Sequence, residues 1–269
     1  MKLSIVVSTQ PASFSALAYN GKLEQSIARI AGLGYDGVEL AVRDPRDLDV
    51  VKVAGLLDQN RLTVPAIGTG QAYGEDGLCF THPEREVREL AIQRIKSHID
   101  LGATLRAQVI LGLIRGKVEP PVGRVQAYEW LVEALKECAA YAESKGVRLA
   151  MEPINRYETN LIETVAEGIE LIDHIGSDAF GLLLDTFHMN IEEPSIEDSI
   201  RAAGDRIFHF HVADSNRWYP GAGHVDFQRI VQVLDDVGYS GFLSAEILPL
   251  PDADTCADLV ISNLRAIID

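Results

Sequence analysis

The chain has 269 residues, 47% of them hydrophobic and 24% charged, with a formal net charge of −16. That length suits one α/β barrel or two smaller units, and no apolar run approaches the roughly 20 residues that span a bilayer, so no membrane partner is expected. The acidic balance disfavours a nucleic-acid surface, which needs clustered Lys and Arg.

The three cysteines, Cys79, Cys138 and Cys256, are odd in number and widely spaced. They suggest neither a disulfide framework nor a thiolate metal site, and free thiols fit a reducing cytoplasm. The opening MKLSIVVSTQ is too short in its apolar part for a secretory core and reads as the first strand. From there strand patterns recur at residues 3–8, 37–42, 63–68, 107–113, 148–152, 181–185, 207–212 and 242–246. Most are short, continuous apolar runs, as in strands covered on both faces of a parallel sheet. Helical patterns fill the gaps at 22–33, 49–60, 83–101, 125–145, 162–175, 196–203, 227–237 and 253–268. Eight of each, with no Pro-, Ser- or Gly-rich linker, predict a single (β/α)8 TIM barrel as one domain over residues 1–269. Thr81-His82-Pro83-Glu84 fits a capping box opening the third helix, and Gly34, Gly102, Gly146, Gly176 and Gly238 stand where helices want left-handed C-caps.

Four apolar stretches in the second half end on metal-binding residues: LAMEP at Glu152, FGLLLD at Asp185, IFHFH at His211 and FLSAE at Glu246. They fall one strand-plus-helix unit apart, at the C-terminal ends of strands five to eight, where barrel enzymes keep their chemistry. One acid after a strand is more often a helix cap or a structural ion pair. Four in succession, all metal-capable, reverse that reading. Three carboxylates and one imidazole suit Mn²⁺ best, then Mg²⁺ or Co²⁺, with Zn²⁺ less favoured in the absence of thiolates.

The segments MEPINRYET, LLLDTFHMN, HFHVADSNRWYPGAGHVDF and AEILP resemble the xylose-isomerase-like superfamily of barrels, and within it the branch of D-tagatose 3-epimerases and D-psicose 3-epimerases. The likeness runs from VEL in the second strand through FTHPEREVR to AEILP. It implies a sugar isomerase or epimerase in which Glu152, Asp185, His211 and Glu246 hold one divalent cation, usually manganese. Glu152 and Glu246 would also move the proton beside a ketose carbonyl through a metal-stabilised enediolate, one carboxylate on each face of the substrate. His188 and Arg217 match residues that hold the carbonyl end of the substrate, and Glu158 matches one that hydrogen-bonds near a catalytic carboxylate. A homodimer or homotetramer is a family expectation only.

Several positions stay open on sequence. Glu39 could orient a metal ligand or form a buried pair with an Arg. Trp218, Tyr219 and Pro220 could stack on a sugar or pack their loop. The glycine-rich GTGQAYGEDG lacks a P-loop Lys and reads as a tight turn. An acidic LPLPDAD after the last strand favours an unphosphorylated ketose or keto-polyol, with Arg115, Lys117 and Arg43 left as candidate anion partners. An endonuclease-IV-like nuclease is disfavoured, because strands three and four end without ligands. An inosose-type dehydratase remains the enzymatic alternative, separable by product mass, and a non-catalytic sugar-binding barrel has no need of two flanking bases.

Overall fold

A computed structural model describes residues 1–268. Eight parallel strands follow one another round a closed sheet: β1 (Lys2–Ser8), β2 (Gly37–Ala41), β3 (Ala66–Gly68), β4 (Gln108–Leu111), β5 (Leu149–Met151), β6 (Phe180–Asp185), β7 (Ile207–Val212) and β8 (Phe242–Ala245). Lys2–Ile5 of β1 pair with β8 and close the barrel. Beyond Ile5 that edge of β1 is free, and a two-residue strand, Tyr19–Asn20, covers it by pairing with Val7 and Ser8.

The helices are α1 (Leu23–Leu33), α2 (Val50–Asn60), α3 (Gly70–Gly74), α4 (Arg85–Leu105), α5 (Arg124–Lys145), α6 (Val165–Ile175), α7 (Thr186–Glu192), α8 (Ile196–Ala203), α9 (Phe227–Asp236) and α10 (Ala253–Ile268). None is long and apolar enough to cross a membrane. α3 and α7, which the sequence pattern did not suggest, follow β3 and β6 at the C-terminal mouth of the barrel.

Side chains on a strand point alternately to its two faces, and that parity sorts the barrel. Leu149 and Met151, Leu182 and Leu184, Phe210 and Val212, and Leu243 and Ala245 face outward into the large core beneath the helices. Each fully buried side chain of this size contributes about 1.5–3 kcal/mol. The intervening positions face the barrel axis. There Ala66, Ile110, Ala150 and Leu183 form a small apolar plug with Phe208. Two residues on from Ala150, Leu183, His209 and Ser244, the same inward rows reach the mouth as Glu152, Asp185, His211 and Glu246.

Some punctuation differs from expectation. The Thr81 hydroxyl donates to the Lys117 carbonyl at 2.9 Å instead of capping a helix, and α4 begins only at Arg85. The capping box forms at α6, between Thr164 and Glu167. Gly34, Gly146 and Gly176 are left-handed C-caps, and Gly238 is left-handed just beyond α9. Gly102 is not a cap: α4 continues through it to Leu105, and Arg106 closes the helix. Its lack of a side chain serves close packing, since a Cβ there would lie 2.8 Å from the Ala107 carbonyl oxygen.

Two helical glycines therefore respond oppositely to alanine. Gly55 in α2 has no atom within 4 Å of an added Cβ, so Gly55→Ala is expected to stabilise the chain by up to about 1 kcal/mol. Gly102→Ala is expected to destabilise it by about 1–3 kcal/mol through overpacking, despite the same gain in helix propensity. Urea unfolding midpoints of the two variants check both signs.

Candidate metal centre and active site

β5 to β8 deliver Glu152, Asp185, His211 and Glu246 to the mouth, and Asp185 and His211 are direct partners in the β6–β7 register. Each offers one donor atom, and these four atoms lie within 4.8 Å of one another. His211 Nδ1 stands 3.6 Å from Asp185 Oδ2 and 3.9 Å from Glu152 Oε1. Two ligands about 2.1 Å from one shared ion are separated by up to about twice that distance, so the 3.6 and 3.9 Å separations fit a common cation.

The donor set also fits by what it lacks. Glu152 Oε1, Asp185 Oδ2 and His211 Nδ1 are buried and have no hydrogen-bond partner. Buried polar atoms normally find one, and three facing inward toward a single point call for a positive charge between them. Other oxygens of the set are occupied elsewhere. Asp185 Oδ1 accepts the Phe187 N–H at 2.7 Å and caps α7, which leaves Oδ2 for the centre.

The acidities reflect this crowding. Burial, followed by the charge of Glu246, raises the Glu152 carboxyl above its usual range, and burial raises Glu246 against the pull of His211 and Arg217. Burial would raise Asp185 as well, but His211, His188 and Arg217 outweigh it and hold the carboxyl at about 2. For His211, burial is overcome by Glu39 and Asp185, which raise the imidazole well above its usual value.

A chain of polar contacts links the first carboxylate to the last. Arg217 donates to Glu246 Oε2 at 2.9 Å and to Glu158 Oε1 at 3.0 Å. Glu158 Oε1 accepts from Asn155 Nδ2 at 3.1 Å, and that same amide nitrogen is 2.7 Å from His188 Nδ1. His188 Nε2 faces Glu152 Oε1 at 3.6 Å. Asn155 donates to Nδ1, which places the ring proton on Nε2, toward the cavity. Burial lowers the His188 pKa to about 4, so the ring is neutral near pH 7. All three sequence-predicted substrate residues, Glu158, His188 and Arg217, thus line one cavity with Glu152, His211 and Glu246, while Asp185 is not part of its wall.

Arg217 is held from several sides. Its guanidinium lies between the rings of Phe14 and Phe187, at 5.1 and 4.7 Å. Its backbone has φ 61, a left-handed conformation that costs a non-glycine residue about 1–2 kcal/mol. Asp214 fixes that turn: its buried carboxylate accepts N–H groups of Ser215, Gly221 and Val225 at 2.7, 2.8 and 3.1 Å, and its carbonyl accepts from Arg217 N at 2.7 Å. Phe14, Asn155 and Asp214 were not singled out from the sequence. Asn155 and Asp214 sit inside the diagnostic segments, whereas Phe14 carries no local signal.

The cavity measures about 200 Å³, below the ~300–1,000 Å³ of drug-sized sites, and suits one small molecule. Gly70, Gln71 and Gly74 of α3 line it, so the glycine-rich segment is a short helix and not a simple turn. Arg217 is the one Lys or Arg lining it among the described residues. Arg115 is fully buried, with its donors on the carbonyls of Gly112, Glu152 and Ile162, and Arg43 is paired with Asp76. Neither lines the cavity, nor does Lys117. Trp218, Tyr219 and Pro220 are also off its wall, and Tyr219 packs against the core. Glu39 does line the cavity, and its partners are His209 and His211, not an Arg.

The xylose isomerase-like TIM barrel family model matches residues 27–260. The L-ribulose 3-epimerase of Methylomonas sp. (strain DH-1) is 33% identical over 225 residues, which is 82% of this chain and 77% of that protein. The D-psicose 3-epimerase of Agrobacterium fabrum (strain C58) is 29% identical over 235 residues, 85% of this chain and 80% of its own. A crystal structure of D-allulose 3-epimerase from Methylomonas sp. in complex with D-allulose superposes with a TM-score of 0.82 at 27% identity, covering 99% of this chain and 97% of that one. The family match takes in all four strand ends that carry the donors, and the chain belongs to the xylose isomerase-like TIM barrel family.

Proposed function

We propose that this protein is a divalent-metal-dependent ketose 3-epimerase, with Glu152 and Glu246 as the proton-moving pair. The observation that carries the proposal is the convergence of a buried and a partly buried glutamate, Glu152 and Glu246, on one cation-binding set at the wall of a cavity of sugar size. Glu152, Asp185, His211 and Glu246 would hold the ion, and the three hard oxygens with one imidazole favour Mn²⁺. The ion supplies Lewis acidity that makes a hydrogen beside a ketose carbonyl easier to remove.

The protein's own groups do the rest. Glu152 and Glu246 enter the cavity from β5 and β8, with β6 and β7 between them. One carboxylate takes the proton from C3 and the other returns a proton to the opposite face, inverting that carbon. Burial raises both carboxyls in the cation-free protein, and in a two-base cycle each serves in turn as base and as acid. His188, neutral and with Nε2–H turned inward, donates to a substrate oxygen, and Arg217 holds the carbonyl end with Glu158 fixing its guanidinium. The names of the relatives favour epimerisation over dehydration. With Arg217 already committed to two carboxylates, the cavity suits an unphosphorylated ketose. We assign the 269 residues to one domain working as a homodimer or homotetramer in the cytoplasm, where the three free, buried thiols would be kept reduced.

Glu152→Gln and Glu246→Gln are each expected to lower the rate of C3 epimerisation by about 10²–10⁴-fold. Deuterium incorporation from heavy water into a panel of ketoses, with Mn²⁺ present, measures this. Full activity in either variant would rule out the two-base mechanism. Cation affinity has its own pH signature. In the cation-free protein the raised pKa values of Glu152, Glu246 and His211 mean that protons must leave on binding, so affinity is expected to rise with pH through the neutral range. Calorimetry in buffers of different ionisation enthalpy counts the protons released; a pH-independent affinity with none released would contradict the donor assignment. Asp214→Ala frees three N–H groups and unfastens the Arg217 turn, for which we expect a KM about tenfold higher or more, a charge-assisted contact being worth about 1.5–3 kcal/mol. Steady-state kinetics against unchanged far-UV circular dichroism check this.

A further inference from the structure

Strand β7 turns two histidines toward the barrel axis, and only His211 belongs to the cation set. His209, one inward position below, is equally buried. Glu39 from β2 meets both. Its Oε2 lies 2.7 Å from His209 Nε2, and His211 Nε2 lies 3.0 and 3.1 Å from its two oxygens. Separations of 2.7–3.1 Å are those of direct N–H···O bonds. The trio is therefore closed by protons and does not form a second cation site.

Those bonds fix protons on particular atoms. An ionised carboxylate can only accept, so both Nε2 atoms donate to Glu39. The neutral ring of His211 then has its lone pair on Nδ1, the atom that faces Glu152 and Asp185 without a hydrogen-bond partner. A ring flipped to the other tautomer would point an N–H at the ion. His209 has a separate task. Glu39 lines the same cavity and could swing up as a fourth carboxylate, but the bond to His209 from below keeps its Oε2 down.

We propose that Glu39, anchored by His209, is a positioning residue that holds His211 in the Nε2–H tautomer, so that Nδ1 is presented to the cation and the set keeps three carboxylates. The proposal rests on the four-residue cation set described above. Outer hydrogen bonds of this kind govern how well a metal-bound imidazole binds, and their loss costs about 10–100-fold in metal affinity.

Two measurements test it, neither of which uses turnover. In the wild-type protein with ¹⁵N-labelled histidine and saturating Mg²⁺, which is diamagnetic, NMR is expected to find the His211 proton on Nε2 and none on Nδ1. In Glu39→Gln, whose amide oxygen is an uncharged acceptor and whose amide nitrogen accepts from neither ring, Mn²⁺ affinity read from the EPR signal of the free ion is expected to fall about 10–100-fold. Nε2 found unprotonated in the wild type, or Mn²⁺ binding within twofold of wild type in Glu39→Gln, overturns the inference and leaves the epimerase reading standing. A wild-type protein that binds neither Mn²⁺ nor Mg²⁺ overturns both. If Glu39→Gln fails to fold, the wild-type NMR result decides alone.

Discussion

Three carboxylates and an imidazole nitrogen, driven into one buried corner with their lone pairs facing, repel one another. That repulsion is the constraint to which the rest of the mouth responds. A rigid closed sheet is needed to hold the donors there, since flexible loops would let them part. Neighbouring oxygens are tied off one by one, as with Asp185 Oδ1 on the Phe187 N–H. Positive or proton-donating groups are set round the rim, Arg217 on Glu246 and His188 beside Glu152, while Glu39 accepts the outer N–H of His211 from beneath. A divalent cation completes this arrangement electrostatically.

The contacts from Glu246 through Arg217, Glu158, Asn155 and His188 back to Glu152 give the two bases a shared boundary. Burial raises both, and the charge of Glu246 raises Glu152 further. Change at one end therefore reaches the other without passing through substrate. The strained turn at Arg217 has its place here as well: Asp214 and two aromatic rings over-determine a guanidinium that would otherwise have many rotamers.

The strands were legible because parallel strands covered on both faces leave continuous apolar runs, and the donors stood out because each directly ends such a run. The mouth helices α3 and α7 were not, being too short for a helical period to show, one of them glycine-rich and the other masked by the strand before it. Thr81 had the sequence of a cap, yet its hydroxyl found the Lys117 carbonyl from another segment. Gly102 looked like a stop and proved to be a point of close approach. Local pattern failed in both where a tertiary contact took over. Glu158, His188 and Arg217 came from motif resemblance, and no spacing rule would have found them. Phe14 lay beyond either route, because its partner Arg217 is far along the chain.

The alternation of side chains along β5 to β8 divides duties by parity. Outward residues bind the helical shell, and inward residues at the last position carry the chemistry. A change at Glu152, His211 or Glu246 thus leaves the packing of the sheet against the outer helices in place, and one at Asp185 removes in addition only the cap of α7. The shell can outlive its activity, and a lineage could rewrite the four rim positions, and with them the reaction, while inheriting the same barrel unchanged.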